Sequence, residues 1–151
     1  MATRINVTGE YMRRTTNLPV STAFTLCGWA NLTRRASAFQ YWGLEDGATF
    51  EIIGYPDTVA PFEIYQGGST SFASSPADGV WFFYAITGQG TGATDFKGYW
   101  ALPTDTAFKT AQRTGASFTP TGLYLGSDSF DEFVNGLFAW TKVYGAALIE
   151  A

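Results

Sequence analysis

The chain has 151 residues, of which 46% are apolar and only 15% are charged. A chain of this length can bury a core without disulfides or metals, so we expect one domain over residues 1–151. Its nine basic residues are scattered apart from the pairs Arg13-Arg14 and Arg34-Arg35, and the net charge is −4. This distribution excludes the basic surface by which proteins bind nucleic acids and anionic membranes.

Residue types that carry much hydrolytic and metal chemistry are nearly absent. The sequence contains no histidine, which excludes histidine-dependent catalytic triads and imidazole metal ligands. Its single cysteine, Cys27, allows no intrachain disulfide and lies between the apolar neighbours of Phe24–Ala30. We therefore interpret Cys27 as a small buried apolar residue rather than a nucleophile.

The N-terminal residues Met-Ala-Thr-Arg-Ile-Asn-Val-Thr contain no apolar leader segment, and no window approaches the length that spans a bilayer. If the chain is complete, we expect a protein that is not exported by the ordinary secretory route.

Taken in order, the chain is typical of many short strands separated by turn signals, with no useful helical period. We predict strands over Arg4–Arg13, Phe24–Leu32, Phe39–Leu44, Thr49–Gly54, Phe62–Gln66, Val80–Thr87, Phe96–Leu102, Leu123–Gly126 and Leu137–Tyr144. The polar stretch Phe108–Phe118 is interpreted as an edge strand, and Ala146–Glu150 as a single helical turn.

Local turn chemistry refines this prediction. Glu45-Asp46-Gly47-Ala48 should form a hairpin turn, after which Phe50 and Ile52 would face inward. Residues 88–94 are glycine-rich but lack the strand-then-helix context of a phosphate loop, so we interpret them as a hairpin tip. Phe72 is the one apolar anchor of the small-residue stretch 69–77.

The stretch Val80–Thr87, Val-Trp-Phe-Phe-Tyr-Ala-Ile-Thr, is apolar on both of its alternating faces. Trp81, Phe83 and Ala85 share one face, and Phe82, Tyr84 and Ile86 share the other. This pattern predicts a central strand with apolar neighbours on both sides, in the middle of the core. Trp29 and Trp81, which lie in the strongest strands, are expected in the core as well.

Three segments together resemble the laminin G-like family of concanavalin A-like jelly rolls. Phe24–Ala30 is similar to that family's "FTISAW" strand, and Val80–Thr87 to its "W-x-x-V-A-V-T" strand. The residues from Leu123 to Glu150 resemble its closing "lyiG … fnG-x-i-d-x-v-r-i-y-x-x-x-L" pattern. The resemblance implies an all-β, two-sheet antiparallel β-sandwich of the jelly-roll type with neighbouring termini. It departs at Tyr99–Asp105, where the family has a "YVNG" hairpin, so no family site is carried over there.

Acidic residues form two groups, and neither has the Glu-x-Asp-x-x-Glu pattern of related glucanases. Glu45, Asp46 and Glu51 form one group, and Asp128, Asp131 and Glu132 form the other. We interpret the second group as a solvated loop between strands. If it is functional, its carboxylates suit Ca²⁺, which some laminin G-like domains bind at their rim. We expect no other cofactor, and we do not expect either acidic group to be catalytic.

Exposed aromatic rings are the other candidate site, because sugars stack on Trp and Tyr faces. The candidates for an exposed aromatic face are Tyr41, Trp42, Tyr55, Tyr65, Tyr99 and Trp100. In a sandwich we expect half of them to be buried.

Three functions remain open. We expect a non-enzymatic structural or attachment protein on the surface of a larger assembly, such as a phage virion decoration or fibre-associated subunit. Its partners would be other protein subunits, with a homo-oligomer as the expected form. A glycan-binding module is the alternative. A glycoside hydrolase comes third because this chain lacks the carboxylate pattern of such enzymes.

Overall fold

The computed structural model describes residues 2–5, 12–16, 18, 23–34, 40–46, 50–56, 61–88, 95–114, 118–125, 134–146 and 148. These residues form twelve strands: β1 (Ala2–Ile5), β2 (Met12–Arg14), β3 (Phe24–Leu32), β4 (Gln40–Glu45), β5 (Phe50–Tyr55), β6 (Glu63–Tyr65), β7 (Ser69–Ser71), β8 (Trp81–Gly88), β9 (Asp95–Ala101), β10 (Lys109–Thr114), β11 (Gly122–Leu125) and β12 (Gly136–Tyr144). Within this described part, no helix has the length and apolar character needed to cross a bilayer.

The strands form two six-stranded antiparallel sheets. The first sheet has the order β1-β12-β3-β8-β9-β10, and the second has the order β2-β11-β4-β5-β6-β7. The first and last strands of the chain, β1 and β12, pair with each other. The predicted two-sheet antiparallel sandwich is confirmed.

The core lies between the sheets and is mainly aromatic. Trp42 of the second sheet packs against rings from both layers, with ring centroids 5.9 Å from Phe62, 5.2 Å from Tyr84 and 5.4 Å from Phe138. These three rings meet Trp42 edge-on or tilted, arrangements that aromatic quadrupoles favour. Alternating residues of β8, namely Phe82, Tyr84 and Ile86, face this core.

Most strands lie where the sequence predicts them. β3 begins and ends at the predicted residues, β8 is an interior strand of the first sheet, and β10 lies at that sheet's edge. The turn before β8 depends on Gly79, whose φ of 73° suits a residue without a side chain. The hairpin tip at 89–94 and most of the predicted helical turn lie outside the described residues.

One expectation about strands is wrong. The predicted strand Arg4–Arg13 is not continuous, because β1 pairs with β12 in the first sheet whereas β2 pairs with β11 in the second. In β5, Ile53 and Tyr55 face the core. The side chains of Phe50 and Ile52, which we expected to face inward, lie outside the described part of the structure.

The last strand, β12, is not regular along its whole length. The register of β12 against β3 shifts between Ala139 and Lys142, which is a β-bulge. Trp140 lies in this bulge with a φ of 54°, a conformation that bulky side chains rarely adopt. As a result Phe138 and Thr141 both point toward the core side, although their sequence separation is odd.

Candidate functional site

The six aromatic candidates do not form one face. Trp42, Tyr55 and Trp100 belong to the buried core cluster. Tyr41 and Tyr65 lie on the outer face of the second sheet, with ring centroids 6.3 Å apart. Tyr99 lies on the outer face of the first sheet, packed with Cys27 and Ala85.

We expected half of the six residues to be buried, and the structure buries more than half of them. Tyr65 alone is exposed, at 37%, whereas the other five are buried. The physical reason is alternation, because Tyr41-Trp42 and Tyr99-Trp100 are adjacent pairs in strands and one member of each must face inward. The expectation that Trp29 and Trp81 lie in the core is wrong, since both are half-buried on the outer face of the first sheet.

On the outer face of the second sheet, a tyrosine and a glutamate meet across a glycine. Tyr41 and Glu63 flank Gly54 in register, on β4 and β6. A Cβ at Gly54 would lie 2.8 Å from the Tyr41 ring, so only glycine leaves room for it. The Tyr41 hydroxyl donates a hydrogen bond to the buried Glu63 carboxylate, which satisfies a carboxylate that has lost most of its water.

The second buried glutamate of this face is remote from the first. Glu45 pairs with Phe50 and Glu63 with Gly54, four residues further along β5. With strands about 4.8 Å apart and a rise of about 3.4 Å per residue, their Cα atoms are roughly 16 Å apart. The Glu45 carboxylate lies against Gly122 of β11, on the side of β4 away from Glu63. A glycosidase pair places its carboxyl groups about 5–9.5 Å apart, so these two do not form one.

The outer face of the first sheet contains an apolar pocket of about 190 Å³, which we call the outer pocket. Its floor consists of four small residues on the two central strands, Thr25 and Cys27 of β3 and Ala85 and Thr87 of β8. Thr25 pairs with Thr87 and Cys27 pairs with Ala85, so the four form a compact square. Small side chains surrounded by large ones create the depression.

Aromatic and aliphatic side chains form the walls of the outer pocket. Phe83 and Tyr99 rise from β8 and β9, and Phe108 packs on both, with ring centroids 5.8 Å and 5.9 Å away. The turn at 102–105 brings the chain back so that Phe108 lies over the sheet. In this turn the Leu102 N–H donates a hydrogen bond to the Asp105 carboxylate at 2.6 Å. Phe108 nevertheless remains 46% exposed.

The C-terminal segment closes another side of the outer pocket through Leu148. The Thr25 hydroxyl donates to the Ala146 carbonyl at 2.8 Å and accepts from the Leu148 N–H at 2.9 Å. This double contact places Leu148 against the pocket while leaving it 50% exposed.

Beside the outer pocket, β12 carries the charged side chain of Lys142 and the strained backbone of Trp140. Lys142 pairs with Cys27 of the floor, and its Nζ lies 4.6 Å from the centroid of the Trp140 ring. Burial raises the pKa of the Cys27 thiol, and the Lys142 ammonium partly opposes that rise. Trp140 is 53% exposed although its backbone is strained, and such strain is typical of functional positions.

Sequence reasoning missed the outer pocket because it assigned the two central strands wholly to the core. Cys27 is buried, as expected, but at the outer surface and not between the sheets. A usable signal was present, because the outward positions of both strands carry small residues next to aromatic ones. Recognising it requires the β3–β8 register, which the sequence does not show.

The proposed calcium ligands Asp128, Asp131 and Glu132 lie outside the described residues. Among the residues that the structure does describe, no group of three acidic or cysteine side chains could hold a metal ion.

Comparison with known proteins shows the fold. No family model matches the chain, and no curated protein matches it. A native heptameric SAP-like pentraxin from Limulus polyphemus has a TM-score of 0.59 and 11% identity, covering 98% of this chain and 76% of that chain. Domain 4 of AbnA, a GH43 extracellular arabinanase from Geobacillus stearothermophilus solved with arabinotriose, has a TM-score of 0.56 and 14% identity, covering 99% and 83%.

A third similar structure is an enzyme. Scytalido-glutamic peptidase with a transition state analog inhibitor has a TM-score of 0.54 and 14% identity, covering 96% of this chain and 84% of that chain. A pentraxin, an arabinanase domain and a peptidase thus share one architecture with this chain, which is a jelly-roll β-sandwich. Identities this low establish the fold and leave the activity to be argued from the sites.

Proposed function

We propose that this chain is a non-enzymatic attachment domain that binds other protein subunits of an assembly, copies of itself among them, through the outer face of the first sheet. The observation that carries the proposal is the outer pocket with its exposed wall residues Phe108 and Leu148. The domain would be displayed on the surface of the assembly, for example as a phage virion decoration or a fibre-associated subunit.

The geometry of the rings around the outer pocket favours a protein partner over a sugar. A pyranose stacks on a flat aromatic face, and rings that grip it from both sides are close to parallel. Around the outer pocket the interplanar angles are 73° for Trp29 and Phe83, 45° for Phe83 and Phe108, and 77° for Tyr99 and Phe108. Such tilted rings instead form a pocket for a side chain, as at the centre of protein interfaces.

Glycan binding is a second candidate, on the opposite face of the sandwich. Tyr65 exposes its ring beside the hydrogen-bonded pair of Tyr41 and Glu63, which combines an aromatic surface with a nearby carboxylate. The similarity to a pentraxin and to an arabinanase domain is compatible with this alternative.

Light scattering on size-exclusion fractions tests the attachment proposal. We expect the wild-type chain to form an oligomer, and Phe108→Ser to weaken association by more than about tenfold, as truncation of an interfacial aromatic does. Met12→Ser is the matched control, because Met12 is 47% exposed but lies on β2 of the other sheet. Circular dichroism verifies that both variants fold.

Two outcomes would overturn the proposal. One is a wild-type chain that stays monomeric at the highest concentration reached, and the other is equal association of both variants. A monomer that binds a defined glycan on an array would support the second candidate instead. Calcium dependence of that binding would indicate a metal site at Asp128, Asp131 and Glu132.

A further inference from the structure

The outer pocket has the size and the lining of a site for a small apolar group. Its floor consists of small side chains, and its walls are aromatic and aliphatic. The Thr25 hydroxyl already bonds to the C-terminal segment, at the Ala146 carbonyl and the Leu148 N–H. An engineered apolar cavity of about 150 Å³ binds benzene. A pocket of about 190 Å³ therefore has room for an apolar body of one or two rings.

The Lys142 ammonium lies beside the floor of the outer pocket. Lys142 pairs with Cys27, and side chains directly opposite each other on antiparallel strands have Cβ atoms about 4.5–5.5 Å apart. The Lys142 side chain is exposed, and its Nζ rests on the Trp140 ring, 4.6 Å from the ring centroid. A group seated on the floor therefore has an ammonium within reach at the pocket margin.

The charge at this margin is not neutralised by the chain itself. Within the part of the chain that the structure describes, no carboxylate is paired with Lys142. None of the residues that line the outer pocket is acidic. Contact with a ring leaves an exposed ammonium able to donate hydrogen bonds to an anion. A ligand with a negative charge beside its apolar body therefore has the complementary charge.

We propose that the outer pocket binds a small amphipathic acid, an aromatic carboxylate of one or two rings. Its rings lie on the floor at Cys27 and Ala85, and its carboxylate accepts hydrogen bonds from the Lys142 ammonium. This inference goes beyond the proposed attachment function and does not depend on it, because the ligand is a free molecule. The acid and the side chain of a partner subunit would compete for the same pocket.

Three probes with the same rings and different charges test the site. They are 2-naphthoate, the neutral 2-naphthalenemethanol and the cationic 2-naphthylmethylamine. In NMR titrations of the isotope-labelled chain, 2-naphthoate should shift the amide signals of the floor residues Thr25, Cys27, Ala85 and Thr87. It should bind about two- to fivefold more tightly than the alcohol, the size of one exposed ion pair. The amine should bind more weakly than the alcohol.

Two variants separate the pocket from the charge. Ala85→Leu fills the floor and should weaken 2-naphthoate binding at least about tenfold, because the rings lose their buried surface. Lys142→Gln keeps the pocket and should make 2-naphthoate and the alcohol bind equally. Arg14→Gln is the matched control, because it removes one positive charge from an exposed residue on β2 of the other sheet. Thermal unfolding verifies that each variant is folded.

Alkylation of Cys27 gives an independent measurement, because rings seated on the floor cover the thiol. At about ten times its dissociation constant, 2-naphthoate should slow the reaction of Cys27 with iodoacetamide about tenfold, since few pockets are then empty. The same concentration should slow the reaction of the Ala85→Leu protein by no more than about twofold, relative to that variant without ligand.

The outcomes are distinct from those of the attachment proposal. The inference is overturned if 2-naphthoate neither shifts the floor amides nor protects Cys27. Equal binding of 2-naphthoate and the alcohol to the wild-type chain, or a preference for the anion that persists in Lys142→Gln, overturns it as well. A monomeric wild-type chain that binds 2-naphthoate in the expected way would support this inference and overturn attachment.

Discussion

At the scale of single residues, Cys27 shows how a position can look like core and still belong to a surface site. Its side chain is only 4% exposed, yet it packs with Ala85 and Tyr99 on the outside of the first sheet. Burial disfavours the thiolate, which raises the pKa of Cys27 above its ordinary value, and the Lys142 ammonium acts in the opposite direction. The thiol is therefore a reporter of both the pocket and its charge.

We expect iodoacetamide to alkylate Cys27 slowly at pH 8 in the folded chain, and at a rate that keeps rising as the pH passes the ordinary value for a thiol. Lys142→Gln should slow the reaction further, because loss of the cation raises the pKa and lowers the thiolate fraction. A neutral reagent is required so that Lys142 cannot attract it. Mass spectrometry follows the reaction, and the chain in urea gives the unprotected rate. Equal rates in folded and unfolded chains, or faster reaction of Lys142→Gln, would contradict this expectation.

At the scale of strands, the sequence predicts where a strand begins and ends. It predicts less well which face of the strand is buried and how the strand pairs with its neighbours. β3 and β8 were predictable because their apolar runs are long and end at clear turn residues. The faces of β5 were not, since Phe50 and Ile52 form as good an alternating pattern as Ile53 and Tyr55. Only pairing with β4, which places Ile53 opposite the core residue Trp42, decides between the two parities.

The bulge in β12 was unpredictable for a different reason. Tryptophan is a residue type that favours regular strands, and the sequence has no glycine at position 140 that would indicate a left-handed backbone conformation. The extra residue follows from tertiary packing, because it allows Thr141 to face inward over Gly28, where its hydroxyl lies 3.1 Å from that of Tyr84. The outer pocket shares this origin, since its floor exists only once β3 and β8 are in register. Sequence alone therefore predicted the sandwich but not its candidate site.

Because the backbone is strained at the bulge, glycine should have opposite effects on the stability of the chain at the neighbouring positions 140 and 139. At position 140, glycine should make the chain more stable than alanine does, by about 1 kcal/mol, because glycine relieves the positive φ. At position 139, in regular strand, Ala139→Gly should instead destabilise the chain by about 0.5–1 kcal/mol. Urea unfolding of Trp140→Gly, Trp140→Ala and Ala139→Gly measures both differences. Trp140→Ala as stable as Trp140→Gly would show that the bulge relaxes without strain.

At the scale of the whole molecule, two buried tyrosine hydroxyls connect separate parts of the sandwich. Tyr84 of β8 reaches across β3 to Thr141 of β12, and Tyr55 of β5 donates to the Pro76 carbonyl at 2.8 Å, in the segment that crosses from the second sheet to the first. Burial raises the pKa of both phenols far above the ordinary value. Both groups therefore keep their protons in the folded state under conditions in which the unfolded chain loses them.

The sign of the resulting pH dependence follows from linkage. Below about pH 10 both states hold these protons, and the two tyrosines contribute no slope. Above about pH 10 the unfolded chain releases them while the folded chain does not, so the free energy of unfolding falls with rising pH. Each tyrosine contributes a slope of up to about 1.4 kcal/mol per pH unit.

Tyr84→Phe should lower the free energy of unfolding at pH 7 by about 1 kcal/mol, because it removes a hydrogen bond. The same variant should reduce the loss of stability between pH 10 and 11 by about 1 kcal/mol relative to the wild-type chain. Phe138→Leu is the control, because it weakens the same aromatic cluster and leaves both hydroxyls in place. Urea denaturation at intervals from pH 8 to pH 11 gives the three slopes. If Tyr84→Phe and Phe138→Leu have the same slope as the wild type, then alkaline unfolding is driven by other groups and the Tyr84 hydroxyl acts only through its hydrogen bond.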